Sequence, residues 1–205
     1  MATEQDEEKV KSVAVILAAG SSSRMGQSKQ LLKIGNESLI RKAIKTVIDS
    51  GVNQVVVVLG SNHATHHKEI AELPIQIITN QSWEKGMGSS IKGGVQFVKD
   101  HFPLCTTILF TVCDQPLLTS DHLKKMNQAF QTEKSPIVAS FYSGSPGVPA
   151  LFDRSMFEKL LDVDDEHGAK KVIQDNIKSA HLIDFPNGQV DLDTPYDWEK
   201  FKLFH

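Results

Sequence analysis

An α/β fold built on one open, mostly parallel sheet in three layers is predicted by three observations. Short apolar runs rich in β-branched residues recur along the chain. Segments with helical periodicity separate them. The 205 residues contain no internal repeat, low-complexity tract or Pro/Ser-rich linker, so one domain is expected.

In chain order, residues 1–11 read as a charged, frayed lead-in, with a single domain over 12–205. Val13-Ala-Val-Ile-Leu-Ala18 is a strand buried on both faces, as parallel sheets require. Leu39, Ile40, Ala43, Ile44, Val47 and Ile48 form a helical stripe that stops at Gly51. Strands follow at 55–59, 75–79, 107–112 and 137–141. Helical stripes through Ile91, Val95 and Val98, and through Leu123, Met126 and Phe130, lie between them. Residues 142–149, with two glycines and two prolines, read as a loop before the short apolar run 150–152. Helices near 153–161 and 168–176 and a strand near 180–184 come next. Thr194 as N-cap, Pro195 at the first helical position and Asp197 in the first turn start a terminal helix.

Twenty-two Lys+Arg against 25 Asp+Glu leave a net charge of −3, which argues against nucleic acid as a partner. The only cysteines, Cys105 and Cys113, lack the spacing of a disulfide framework or a zinc site. The acidic, polar N-terminus does not read as a signal peptide, and no apolar run reaches the roughly 20 residues of a membrane span. A soluble, cytoplasmic protein without membrane contact is expected.

Chemistry concentrates in three places. The first is Leu17-Ala18-Ala19-Gly20-Ser21-Ser22 and its continuation to Arg24 and Lys29, a small-residue turn directly after the first strand. Open α/β sheets bind ligands at that carboxyl edge. Small residues let backbone amides approach an anion, and Arg24 and Lys29 add charge for a polyphosphate. Five residues separate Gly20 from Gly26, and Gln27 follows, so this is not a Walker A loop. The second is Asp114, at the end of the strand 107–112 and just before Pro116. A carboxylate there suits Mg²⁺, which takes one or two carboxylates plus substrate phosphates; it also suits a turn. The third is Asp191-Leu-Asp193, whose carboxylates share a face if the segment is extended. Asp193 precedes the terminal helix and is the favoured one; the weaker, competing reading is that it only supplements the helix cap.

Softer signals are Asn80 with Gly88-Ser89-Ser90, a loop able to take a base or ribose, and Gly168 with Lys170, a helix start able to dock an anion. Both also suit ordinary turns. His63, His66 and His67 fall in one helix without the Glu of H-E-x-x-H and read as a solvated surface. Cys113 reads as a small core residue.

Taken together, Leu17-Ala-Ala-Gly-x-Ser-x-Arg-Met-Gly-x-x-Lys29 resembles the signature of the MobA-like nucleotidyltransferases. Asp114-Gln115-Pro116, Gly86-Met-Gly-Ser-Ser90, Gly147-x-Pro149-x-Leu-Phe152, His167-Gly-Ala-Lys170 and Asp191-x-Asp-Thr-Pro195 look most like the branch of molybdenum cofactor cytidylyltransferases. The resemblance spans residues 13 to 200. It implies a Rossmann-like sheet of the nucleotidyltransferase (GT-A-like) type and transfer of CMP from CTP to the phosphate of molybdopterin, releasing pyrophosphate. It implies Arg24 and Lys29 as phosphate ligands, with backbone contacts from Leu17 to Ser22. Asp114 and Asp193 would hold Mg²⁺, and Gln115, Gly147, Pro149, Gly168 and Lys170 would face the second substrate. A molybdenum hydroxylase apo-enzyme is an expected partner. Two departures stand out: Ser23 replaces a second basic residue, and Ser145-Pro-Gly-Val-Pro149 lacks an arginine. Other readings are a guanylyltransferase on the same pterin, a sugar- or polyol-phosphate nucleotidyltransferase, or a non-catalytic carrier of molybdenum cofactor.

Overall fold

The computed structural model describes residues 11–166 and 168–204; most of the expected lead-in and His167 lie outside them. The chain opens with β1 (Ser12–Ala18), a small hairpin β2 (Lys33–Ile34) and β3 (Glu37–Ser38), and α1 (Leu39–Ile48). It then alternates through β4 (Gln54–Leu59), α2 (His63–Ile70), β5 (Gln76–Thr79), α3 (Met87–His101), β6 (Thr107–Val112) and α4 (Ser120–Glu133). The second half comprises β7 (Ile137–Tyr142), β8 (Ser145–Asp153), α5 (Phe157–Leu161), α6 (Gly168–Asp175), β9 (Ala180–Asp184) and α7 (Pro195–Phe204).

Seven strands form one sheet in the order β5-β4-β1-β6-β8-β7-β9, parallel throughout except for β8. Alternation along β1 explains the layers. Val13, Val15 and Leu17 face α3, α5 and α6, which contribute Ile91, Val95, Phe157, Leu160 and Val172. Ala14, Ile16 and Ala18 face α1, α2 and α4, through Ile40, Ile44, Val47, Ile70 and Leu123. Leu17 pairs with Val112 and Ala18 with Leu59, so the loop after β1 and the turn after β6 leave the sheet side by side.

Residues 145–149 correct the expected loop: they are the first half of β8. Ser143 and Gly144, both at positive φ, make a two-residue hairpin turn that sends the chain straight back along β7. Pro146 pairs with Phe141 in the half of β8 that has no partner on the β6 side. Pro149 is tolerated because the register shifts after Ala139, leaving Val148 and Pro149 outside the ladder. Side chains take over their carbonyls: the Tyr142 hydroxyl donates to Val148 O at 3.0 Å, and Ser140 Oγ to Pro149 O at 2.8 Å.

Gly94 lets α3 lie close on the sheet, since a Cβ there would fall 2.8 Å from Val15 Cγ1. Gly94→Ala should therefore cost about 1–3 kcal/mol through overpacking. In thermal unfolding that is a drop of about 2–4 °C per kcal/mol. A midpoint equal to wild type would show that the layer has slack.

A third, smaller cluster joins Met25, Leu32 and Leu39 to Leu192 and Phe201. It pins the segment before α7 against the loop after β1, and the Leu192 amide donates to Asp114 O at 3.1 Å. No helix among the described residues is long and apolar enough to cross a membrane.

Candidate active site

After β1 the chain turns through exposed Gly20 and Ser21, then Ser22 in the left-handed region (φ 56°), a single turn of 3₁₀ helix over Ser23–Met25, and Gly26 (φ 70°). A residue that sequence reasoning did not single out holds this loop. Gln30 is 1% exposed; its Nε2 donates to Gly20 O at 2.9 Å and Ala18 O at 3.3 Å. Its Oε1 accepts from Ser22 Oγ at 3.0 Å and Ser28 Oγ at 2.9 Å. The Lys29 amide donates to Ser22 Oγ at 3.1 Å, so the lysine leaves the loop at a set point.

Lys29 Nζ lies 2.5 Å from Asp114 Oδ2 and 2.8 Å from Asp193 Oδ1. Arg24 reaches the other oxygen of Asp193, Oδ2, at 2.7 Å while its own side chain stays 70% exposed. Four expected residues from three distant segments thus meet at the carboxyl edge of β1 and β6. Burial alone would depress the Lys29 ammonium, but the charge of Asp114 and hydrogen bonds to both carboxylates outweigh it and raise its pKa above the ordinary value. Burial pushes Asp193 up, yet Lys29 and Arg24 win and hold it below the usual carboxylate range. Asp191, its neighbour two residues back, is raised by burial and by the charges of Asp193 and Asp114.

The donor set fits a hard divalent cation. Two carboxylates already converge on one positive point, filled in this state by the lysine ammonium, and oxygen pairs of this kind suit Mg²⁺ or Mn²⁺ when phosphates supply the rest. Among the described residues no group of three or more His, Cys, Asp or Glu could hold a metal unaided. Two carboxylates leave the rest of a divalent cation's coordination to water or to substrate oxygens.

Beside this cluster opens a cleft of about 310 Å³. Leu17, Ala18, Ala19, Gly20 and Ser21 form one wall with Lys29 and Asp114; Trp83, Glu84, Met87 and Ser90 form the other. The remaining expected residues sit around the cleft. Asn80 spends its Nδ2 on Ser89 and Ser90 Oγ, at 2.8 and 2.9 Å, and so shapes the turn before α3. Gly88 gives its amide to Asp165 O, and a Cβ there would lie 2.1 Å from Asp164 O, so it serves close packing of α3 on the 164–165 turn. Gln115, Gly147 and Pro149 stand behind Asp114: Gln115 Nε2 donates to Gly188 O at 2.9 Å and Val148 O at 3.2 Å, and Gly147 makes room for the Tyr142 ring. Gly168 packs under Met87, and Lys170 is exposed on α6.

The histidine reading needs correction. His63 and His67 are exposed, but His66 is 1% exposed, with Nε2 2.6 Å from Ser28 Oγ. Burial, and secondarily the nearby His63, lowers its pKa from 6.5. Burial, then Lys125, does the same to His122, which is stacked on Phe185. The unfolded chain therefore binds more protons than the native one as pH falls below about 6.5, and stability should decline in that direction. Denaturant melts between about pH 8 and pH 5 should show this, with a shallower loss in His122→Gln. A flat profile would refute the assignment.

A parallel sheet with a small-residue loop and opposed carboxylates at its carboxyl edge is the frame of a nucleotide-handling α/β protein. The family follows: the MobA-like NTP transferase domain matches residues 14–181, and the chain belongs to that family of nucleotidyltransferases. It is similar to the purine catabolism protein PucB of Bacillus subtilis (27% identical over 197 residues, 91% of this chain and 94% of that one). It is also similar to the molybdenum cofactor cytidylyltransferase of Escherichia coli (24% over 187 residues, 90% and 92%). Among solved structures, Rv0371c of Mycobacterium tuberculosis superposes with a TM-score of 0.81 at 22% identity, over 93% of this chain and 96% of that one, and it has also been crystallised as a manganese complex.

Proposed function

We propose that the protein transfers CMP from CTP to the phosphate of molybdopterin, releasing pyrophosphate, and delivers the product to a molybdenum hydroxylase apo-enzyme. The observation that carries this reading is the meeting of Lys29, Arg24, Asp114 and Asp193 beside the Gly20 loop. Similarity to the Escherichia coli cytidylyltransferase over 90% of the chain supports the choice of substrates.

The acceptor is a phosphate monoester, already anionic, so attack on the α-phosphorus needs no covalent enzyme intermediate. What the transition state requires is alignment and neutralisation of charge on the oxygens of the α-phosphate and the leaving pyrophosphate. The Gly20–Ser22 backbone cradles the triphosphate, and Lys29 and Arg24 bring two positive charges to it. Asp114 and Asp193 would hold a divalent cation, Mg²⁺ in this reading, which would supply charge neutralisation at the α-phosphate. Asp114, Gln115 and the β7–β8 hairpin form the side on which the pterin phosphate arrives.

Pyrophosphate release with Mg²⁺ and each of the four NTPs, with and without molybdopterin, tests the proposal. Release that needs both CTP and the pterin is expected. Release with GTP would make the protein a guanylyltransferase; release only with a sugar or polyol phosphate would exclude the pterin. Pterin binding with no release would make it a carrier.

A further inference from the structure

We propose that Gln30, Ser28 and His66 form a clamp that holds the phosphate loop in its binding shape, with His66 acting as a positioning residue from a different helix. The inference rests on the proposed role of the Gly20 loop in gripping a triphosphate.

Hydrogen-bond directions in the clamp follow from donor chemistry. Gln30 Nε2 faces two carbonyls, Ala18 O and Gly20 O, so it is the amide nitrogen, and Oε1 is the acceptor of the Ser22 and Ser28 hydroxyls. Ser28 has one hydroxyl proton and gives it to Gln30. It must therefore accept from His66, which fixes the proton on His66 Nε2 across the 2.6 Å contact. His66 Nδ1 is left buried with no hydrogen-bond partner among the described residues, a cost the fold accepts for the sake of the Nε2 contact.

The consequence reaches the site through one covalent link and one hydrogen bond. Gln30 directly follows Lys29, and Ser22, the other donor to Gln30 Oε1, receives the Lys29 amide. A loop containing Ser22 and Gly26 at positive φ has little hydrophobic anchoring of its own beyond Met25, so hydrogen bonds must set its shape. The clamp occupies Gly20 O with the Gln30 amide, so this carbonyl is not left free in the cleft that Gly20 and Gln30 both line. Because α2 packs on the sheet through Ile70, the clamp ties the loop to a rigid layer.

The test is calorimetric titration with inorganic tripolyphosphate and with CTP, each with Mg²⁺, beside thermal unfolding without ligand. Ser28→Ala and His66→Phe should weaken both ligands about tenfold, the scale of one lost hydrogen bond to a preorganised site. Gln30→Glu, which turns carboxylate oxygens onto the Ala18 and Gly20 carbonyls, should weaken them about a hundredfold. Ser28→Thr keeps the hydroxyl and should bind like wild type. Should Gln30→Glu fail to fold, the two milder variants decide. Wild-type affinity in Ser28→Ala and His66→Phe would overturn the clamp even if their melting temperatures fell, and so would equal weakening in Ser28→Thr. If wild type bound neither ligand, the triphosphate role of the loop would fall as well; binding by wild type with unaltered variants sinks the clamp alone.

Discussion

Asp114→Ala should lower turnover with CTP and Mg²⁺ by about a thousandfold or more while the fold persists. The side chain sits where the buried strand β6 ends, one wall of the cleft, with Oδ2 2.5 Å from Lys29. In the proposed reaction Asp114 would hold the cation that neutralises charge at the reacting phosphorus. Losing such a ligand costs several kcal/mol of transition-state stabilisation, and each 1.4 or so is tenfold in rate. Stability should change little, because Asp193 still pairs with Lys29 and the Asp114 backbone still accepts from Leu192. Asp114→Asn separates charge from shape: it keeps the outline and should be almost as inactive. Pyrophosphate release beside circular dichroism measures both quantities. Turnover within tenfold of wild type in a folded variant would remove Asp114 from the site.

Lys29→Ala is the second large effect. It should cut turnover by about a hundred- to a thousandfold, because no neighbour can substitute. Arg24 pairs with Asp193 from an exposed position on the far side, and a guanidinium at residue 29 would not reproduce a point charge shared by two carboxylates. This variant also carries a stability signature. In wild type, Asp193 is held below its ordinary pKa of 3.8, so its contribution is present above that pH and is lost as pH falls through the lowered value. Without the ammonium, Asp193 loses the first of the partners that hold it low. The stability gap between wild type and Lys29→Ala should therefore be wider at about pH 7 than at about pH 3. A gap that stays constant would mean that the three groups do not interact.

Much of this was legible from residue order, and the failures have physical reasons. β1 announced itself because a strand buried on both faces must be apolar at every position, and Asp114 stood out because polarity returns abruptly after Phe110, Thr111 and Val112. Periodicity has no way to show a buried polar residue. Gln30 and His66 look like surface side chains until the fold supplies carbonyls and hydroxyls around them. The first half of β8 was hidden because Pro146, Gly147 and Pro149 are turn residues by composition. Pro146 and Gly147 nonetheless pair with Phe141 and Ser140, and the register shift after Ala139, with Ser140 and Tyr142 donating to the displaced carbonyls, accommodates Pro149. Asn80 and Gly88 suggested a ligand loop; in the fold their polar groups build the start of α3, and Ser90 beside them lines the cleft.

Asp193 joins Lys29 across 164 positions of sequence, carried there by a segment that returns over the sheet after β9. On a translating ribosome, the loop and Asp114 emerge well before that segment does. A nascent chain can thus expose β1 through β9 and still lack the second carboxylate that pairs with Lys29, so the charge cluster closes only after β9 has emerged. Assembly of the cluster follows the order of segments along the chain.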